Sequence, residues 1–323
     1  MPASADSASL APDEDKVRVL RVADAGETEH ASGRQPVKHV RLHHFPTSLC
    51  SQKVRLALAE KGVEWHGTIV NIGPAHEQLQ PWYAKLNPRL VVPTIELDGE
   101  ILTDSRRIVV ELDARFAGAA LVPDEQRDEV MHWVDAQDRL PMRELELVQK
   151  KGLVRWLYGW GLDKKRKQIR KLTKKYPELA EVYARKLADI DQLRELMRSP
   201  ARERELVDEA EALLDGLEQH LSLGTRYLVG DGYTLADLAW TPVIARLEQI
   251  GFARSMAAHR RPHLAAWYAR LRERPSFGAM IRRLTVSQAL RFYGPFVLKT
   301  FLLVWVLKWA IVLGLGYAIA ALR

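Results

Sequence analysis

The sequence predicts an α/β domain, then an all-helical domain, then a C-terminal transmembrane helix. Three observations predict it. Strand-like alternation and tight-turn signals are confined to residues 40–115, only helical periodicity follows Asp124, and the stretch 300–322 carries a single charge, Lys308. A chain of 323 residues is long enough for two domains with a sizeable core.

In the first domain, Val40, Leu42 and His44 alternate with Arg41, His43 and Phe45, and Pro46-Thr47-Ser48 ends that strand. Over 51–61, Val54, Leu56, Ala57 and Leu58 fall at helical spacing, and Gly62 stands where a C′ glycine belongs. A strand pattern resumes over 64–72, a short helix follows over 81–86, and Asn87-Pro88 marks a loop. Residues 91–97 read as a strand, Asp98-Gly99 as a hairpin turn and 100–103 as the returning strand; Asp104-Ser105 caps a helix running to Arg115. The order is β-α-β-α-β-β-α. Beyond it, helices are predicted over 125–150, 163–175, 178–198, 201–221, 234–250 and 262–273. Pro177 and Pro200 sit near helix starts, where proline is tolerated, and Thr234-Leu-Ala-Asp237 is a capping-box variant.

The single cysteine, Cys50, excludes an intramolecular disulfide framework and a Cys-rich zinc site, and fits a reducing, cytosol-facing location. The net charge is +7, with seven acids against four bases in residues 1–37, so the remainder is near +10. The segment 1–37 lacks an apolar core and is too acidic for a transit sequence; it is expected to be a disordered lead-in. Nucleic-acid motifs are missing, so the basic character points toward an anionic membrane surface instead. The densest basic run is Lys164, Lys165, Arg166, Lys167, Arg170, Lys171, Lys174 and Lys175. It reads either as a solvated helix face or as a contact for lipid head groups, each base near an anionic surface contributing about 1 kcal/mol.

As a helix, residues 300–322 would extend about 35 Å, against a hydrocarbon core of about 30 Å. Lys308 inside it costs about 2.5–3.5 kcal/mol on insertion scales, which the surrounding Leu, Val, Ile and Trp residues offset. A spanning anchor is the leading reading; an in-plane interfacial helix and a buried core helix stay open. Only Arg323 follows, so the expectation is post-translational insertion as a tail anchor over 296–323, with the body in the cytosol.

Chemistry is expected where the first strand meets the first helix. A helix N-terminus offers N–H groups and partial positive charge, and a Ser48 hydroxyl there can donate to a thiolate and lower the pKa of the thiol; simple capping is the other reading. Cys50 lies in the same loop. A cis bond at Val92-Pro93 would turn the Val92 backbone toward a peptide-like ligand. Asp104-Ser105 can hold the ammonium and carboxylate of an amino-acid end, or can serve as a cap alone.

Together, Ser-Leu-Cys-Ser-Gln-Lys-Val-Arg-Leu-Ala-Leu at 48–58, Asn87-Pro88, Val92-Pro93-Thr94, Asp98-Gly99 and Asp104-Ser105 resemble the thioredoxin-like N-terminal domain of glutathione transferases. Thr234-Leu-Ala-Asp237 resembles the buried capping motif of that superfamily's helical domain. Within the superfamily, Ser51-Gln-Lys-Val-Arg-Leu with Ala59-Glu-Lys61, Pro81-Trp82, Leu140-Pro141-Met142, Gly251-Phe-Ala-Arg254 and Arg261-Pro262 are similar to the ganglioside-induced differentiation-associated proteins, a tail-anchored group with an extended helical-domain insertion. The resemblance covers roughly 40–323. It implies a glutathione-binding domain over 38–118 and a helical domain over 119–290 with a basic insertion near 152–200.

By the same resemblance, Ser48 would stabilise the glutathione thiolate, Val92 and Pro93 would meet the cysteinyl backbone, and Asp104 and Ser105 would hold the γ-glutamyl end. Cys50 would be either a redox neighbour or a bystander, and Asp237 would be structural. The first loop departs from the family in having no tyrosine and in carrying Leu49 where zeta-like loops have a polar residue. Glutathione would be a co-substrate, without a metal, and the related folds commonly form a homodimer unless the insertion blocks the interface. The implied activity is transfer of an alkyl or aryl group from an apolar electrophile to the glutathione sulfur. The alternative is a non-catalytic protein of this fold acting in membrane shaping, sensing or tethering.

Overall fold

A computed structural model describes residues 37–280, residues 15–16, and the isolated positions 286, 287, 290, 294 and 298. Among the described residues the sheet holds five strands in the order β1-β3-β2-β4-β5, where β1 is Asp15–Lys16, β2 Val40–His44, β3 His66–Ile69, β4 Thr94–Leu97 and β5 Glu100–Thr103. β2 runs parallel to β3 and antiparallel to β4, and β5 returns antiparallel to β4. Leu42 lies opposite Ile95, and Ile95 opposite Leu102, so three apolar side chains form one row across the sheet. That row is fully buried in the main core with Val54, Leu58, Ile108 and Leu112. The period of two along each strand puts them on one face.

Helices α1 (Leu49–Glu60), α2 (Pro81–Leu86) and α3 (Ser105–Arg115) complete the thioredoxin-like unit in the predicted order. Two details differ. Residues 15–16 of the lead-in, expected to be disordered, pair antiparallel with β3 at Gly67 and His66. The strand predicted over 91–97 begins only at Thr94, because Pro93 has no N–H to give the ladder.

The helical domain comprises α4 (Arg127–Arg139), α5 (Met142–Val148), α6 (Gly152–Lys175), α7 (Ala180–Leu196), α8 (Pro200–Leu221), α9 (Leu235–Leu247), α10 (Pro262–Glu273) and α11 (Pro275–Met280). The single helix predicted over 125–150 is two, since Pro141 holds Leu140 in extended backbone (φ −74°, ψ 115°). The helix predicted from 163 starts at Gly152, where Lys151 provides no side-chain cap and hence no start signal. α9 is buried along nearly its whole length. At its start the fully buried Asp237 accepts from the N–H groups of Leu228 (3.0 Å) and Thr234 (3.1 Å) and from Trp267 Nε1 (2.8 Å), which is the structural role expected of it.

α1 joins the two domains. It packs on α3 within its own domain and on α9 and α11 of the helical domain. At its C-terminal end, Glu60 accepts from Arg274 Nε (2.9 Å) and Nη2 (2.7 Å). Among the described residues no helix is long and apolar enough to cross a membrane. The predicted span 300–322 lies outside the described residues.

Candidate functional site

Strand register gathers the candidate residues at one end of the sheet. His43 stands opposite Thr94, and Thr94 opposite Thr103. Just beyond this rung lie the loop to Ser48, the Val92-Pro93 pair and the Asp104-Ser105 start of α3. The packed helices α1 and α3 both begin there, so two sets of N-terminal N–H groups face the same edge.

Ser48 is the N-cap of α1, partly buried, in extended backbone (φ −72°, ψ 124°). Its Oγ accepts the Ser51 N–H at 3.4 Å, and its own O–H can point outward to donate. Cys50 is exposed in the first turn of α1. No acidic residue lies in that turn, so nothing there opposes a thiolate.

The Val92-Pro93 bond is cis. Holding this segment is a buried network that sequence reasoning saw only as a loop marker. Tyr83 Oη (2.7 Å) and Asn87 Nδ2 (2.8 Å) both donate to the Val91 carbonyl, and both meet Thr94 Oγ1, at 3.1 and 3.0 Å. Burial pushes the Tyr83 phenol up to about 12, against the pull of Thr94 and Asn87, so it stays a neutral donor. The bonds are spent on Val91, and the ladder begins at Thr94, leaving the Val92 backbone between the two.

Asp104 sits at φ +76°, an uncommon conformation for a residue other than glycine. Its Oδ1 accepts the N–H groups of Arg106 (3.1 Å) and Arg107 (3.3 Å), and its Oδ2 accepts from Arg89 Nη1 at 2.7 Å. Burial alone would raise the carboxyl; the Arg89 bond and the α3 N–H groups outweigh it and hold the pKa below the ordinary range. Asp104 is therefore a cap and an ionised acceptor at once. Ser105, partly buried, is the first residue of α3.

Two arginines position the first loop, and their spacing in sequence hid both. Arg55, 1% exposed, donates to the carbonyls of Pro46 (2.8 Å) and Met280 (2.5 Å) and meets His44 Nδ1 at 3.1 Å. Arg246 of α9 donates to the Thr47 carbonyl at 2.7 Å and to Glu146 at 2.7 Å. Both tie the helical domain to the residues just before Ser48.

The insertion adds positive charge beside the loop 71–80. Tyr183 Oη of α7 donates to the Leu79 carbonyl at 2.9 Å. Burial, then Lys186 and Arg143, push the Lys165 ammonium down to about 7; burial, then Lys165, push the His76 imidazole down to about 4. Two clefts of about 380 and 370 Å³ lie elsewhere, the first bordered by Glu60, Tyr233 and Arg274 and the second by Lys61 and Phe116; no candidate residue lines either. Among the described residues no group of His, Cys, Asp and Glu could hold a metal ion.

The family models for the N-terminal and C-terminal domains of glutathione S-transferase match residues 47–115 and 199–270. Between the two matches lie α4 to α7. The tetrachloro-p-hydroquinone reductive dehalogenase of Sphingobium chlorophenolicum is 31% identical over 244 residues, covering 74% of this chain and 94% of the relative. The human (Homo sapiens) ganglioside-induced differentiation-associated protein 1-like 1 is 26% identical over 294 residues, 81% of this chain and 79% of that protein. Among solved structures, the β-etherase LigF of Sphingobium sp. strain SYK-6 shares 25% identity and superposes with a TM-score of 0.59 over 75% of this chain and 98% of its own. The chain belongs to the glutathione S-transferase family.

Proposed function

We propose that this protein binds glutathione at the end of its sheet and directs the thiolate at a carbon bearing a leaving group. The observation that carries this reading is the rung His43–Thr94–Thr103, which brings Ser48, Val92 and the Asp104-Ser105 pair to one edge beside two helix N-termini. The ammonium of the γ-glutamyl end would pair with the Asp104 carboxylate, and its carboxylate with the N–H groups and Ser105 hydroxyl at the start of α3. The cysteinyl backbone would pair with Val92. The Ser48 O–H and the N-terminus of α1 would then stabilise the sulfur anion and lower the pKa of the thiol. Attack forms a carbon–sulfur bond, and the leaving group departs with its electron pair. Held to a bilayer by residues 300–322, with the body on the cytosolic side, the site would take apolar electrophiles from the membrane.

A second step is favoured by Cys50, exposed in the first turn of α1, and by the name of the dehalogenase relative. The Cys50 thiolate would attack the sulfur of an aryl–glutathione conjugate, the ring carbon would take a proton, and a Cys50–glutathione disulfide would form. A second glutathione would release Cys50 and leave as oxidised glutathione.

Glutathione titration and turnover of a chlorinated hydroquinone test both steps. Ser48→Ala should lower turnover about 10²-fold, the scale of losing one donor to a developing anion, while glutathione still binds. Cys50→Ala should stop oxidised glutathione from appearing and leave the conjugate to accumulate. If the wild-type chain binds no glutathione at millimolar concentration, the non-catalytic alternative of a membrane-shaping, sensing or tethering protein replaces this reading.

A further inference from the structure

The described residues expose large apolar side chains mainly in two places. Leu153, Val154, Trp156, Leu157 and Trp160, between 39% and 70% exposed, lie in the first turns of α6. Val286, Leu290 and Leu298, between 60% and 78% exposed, lie in the stretch leading to 300–322. Single exposed apolar residues need no explanation, but a contiguous set does.

α6 is the informative case because its apolar turns continue into a cationic row on the same face. Residues 153, 157, 160, 164, 167, 171 and 174 step by four and three, the spacing that keeps side chains on one side of a helix. Up to Trp160 this stripe is apolar and from Lys164 onward it is lysine; Lys164, Lys167, Arg170, Lys171, Lys174 and Lys175 all reach the surface, partly or fully exposed. The opposite side faces the protein. Leu162 and Ile169 are buried, Gly159 packs against Met197, and Arg194 donates to the Gly159 carbonyl at 3.1 Å. The helix has one acid, Asp163, engaged by Arg194 at 3.1 Å and Arg166 at 3.7 Å on the flank. The outward stripe is thus divided end to end, apolar then cationic, over about 33 Å with no negative charge to neutralise it. Lys164 also stacks its ammonium 3.7 Å from the Trp160 ring centroid, at the point where the two halves meet.

We propose that the outward stripe of α6 is a docking face for an anionic lipid bilayer, with the Leu153–Trp160 end entering the interface and the lysine end resting on head-group phosphates. The division matches the depth profile of a bilayer, in which apolar volume lies below a charged layer, and tryptophan favours the boundary. A nucleic acid would satisfy the lysines and leave the apolar turns in water. A second copy docked through the apolar end would leave the lysine row unused. Val286, Leu290 and Leu298 are likewise exposed and precede in sequence a 300–322 segment that carries one charge. This face would operate whether or not the chain turns over glutathione.

The test is hydrogen–deuterium exchange of the full chain with vesicles of phosphatidylcholine alone or mixed with phosphatidylglycerol. It reads α6 itself, whatever other segment brings the protein to the bilayer. Peptides covering 152–175 should exchange at least tenfold more slowly with the mixed vesicles and not with phosphatidylcholine alone. A Lys164→Glu, Lys167→Glu, Lys171→Glu, Lys174→Glu variant and a Trp156→Gln, Trp160→Gln variant should each lose the protection; none of the six positions is buried, so the fold is expected to tolerate both. Unchanged exchange with both vesicles overturns the proposal. So does protection that grows with protein concentration in the absence of lipid, which assigns the face to a second copy, or equal protection by duplex DNA.

Discussion

Replacing Arg55 by methionine removes the donor that closes the first loop against the helical domain. The side chain is 1% exposed; its Nη2 donates to the carbonyls of Met280 (2.5 Å) and Pro46 (2.8 Å), and its Nη1 meets His44 Nδ1 at 3.1 Å. Methionine fills a similar volume and donates nothing, so these acceptors are stranded away from water. Each stranded buried group costs about 1–3 kcal/mol, and relief from burying a guanidinium returns part of that. A net loss of about 3–5 kcal/mol is expected, the scale of breaking a buried charged contact. For a body of this size about 2–4 °C accompanies each kcal/mol, so the melting temperature should fall by roughly 10 °C. Glutathione affinity, measured below the lowered transition, should fall as well, because Pro46 lies two residues before Ser48. Arg55→Lys should recover less than half of the stability, since an ammonium can at best replace Nη2, which serves both carbonyls, and leaves the Nη1 contacts with His44 and Phe45 and the Nε contact with Ala279 unmade. Differential scanning calorimetry with glutathione titration decides the matter. A loss under about 1 kcal/mol for Arg55→Met, or full rescue by lysine, would refute the assignment of Arg55 as the clasp.

Other perturbations separate roles that overlap in the wild type. Asp104→Asn keeps an oxygen for the Arg106 and Arg107 N–H groups and removes the charge facing exposed Arg89, so stability should change by less than about 1 kcal/mol while the glutathione Kd rises tenfold or more; a large stability loss with unchanged affinity would make Asp104 a cap alone. Arg246→Leu gives up a bond to an exposed carbonyl and the part-buried ion pair with Glu146, and should cost about 1–2 kcal/mol, with a several-fold weaker glutathione Kd by calorimetric titration alongside it. His76, with its pKa depressed from 6.5 to about 4, stays neutral in the fold while the unfolded chain takes a proton. Its contribution is therefore intact above about pH 6.5 and is lost as pH falls toward 4, by about 1–2 kcal/mol once partial exposure is discounted. His76→Asn suits the φ of +51° there and should flatten that acid limb in urea titrations; parallel curves for the two proteins would show that the histidine is not the titrating group.

The thioredoxin-like unit was legible because its signals are local. Asp98-Gly99 takes the positive φ values that a tight hairpin needs, Ser48 and Asp104 cap their helices, and alternation marks β2. The contacts that hold the site were not legible, because they act across the chain. Arg246 lies 199 residues from its Thr47 partner, and Arg55 lies 225 from Met280. No periodicity reaches that far. Asn87 read as a turn residue, yet its amide holds the Val91 carbonyl together with Tyr83, a role fixed only when the loop closes. The start of α6 was missed for a different reason. An uncapped helix whose first turns present leucine and tryptophan to solvent breaks the usual rule that apolar residues mark the inward face, and that violation is where the docking face lies.

The position of α1 bears on how such a protein can be cut or combined. Sequence places a border near residue 118, between the α/β unit and the helices. Physically, the helix that carries Ser48 has its outer side roofed by α9 and α11, its last residue gripped by Arg274, and its arginine plugged into Met280. A fragment ending at that border would leave Lys53, Arg55 and the surrounding apolar side chains of α1 facing water without a lid. The thioredoxin-like half is therefore not a transplantable module. The two halves would be inherited, engineered or exchanged only as a matched pair, with α11 counted as part of the first half although it follows α10 of the helical domain in sequence.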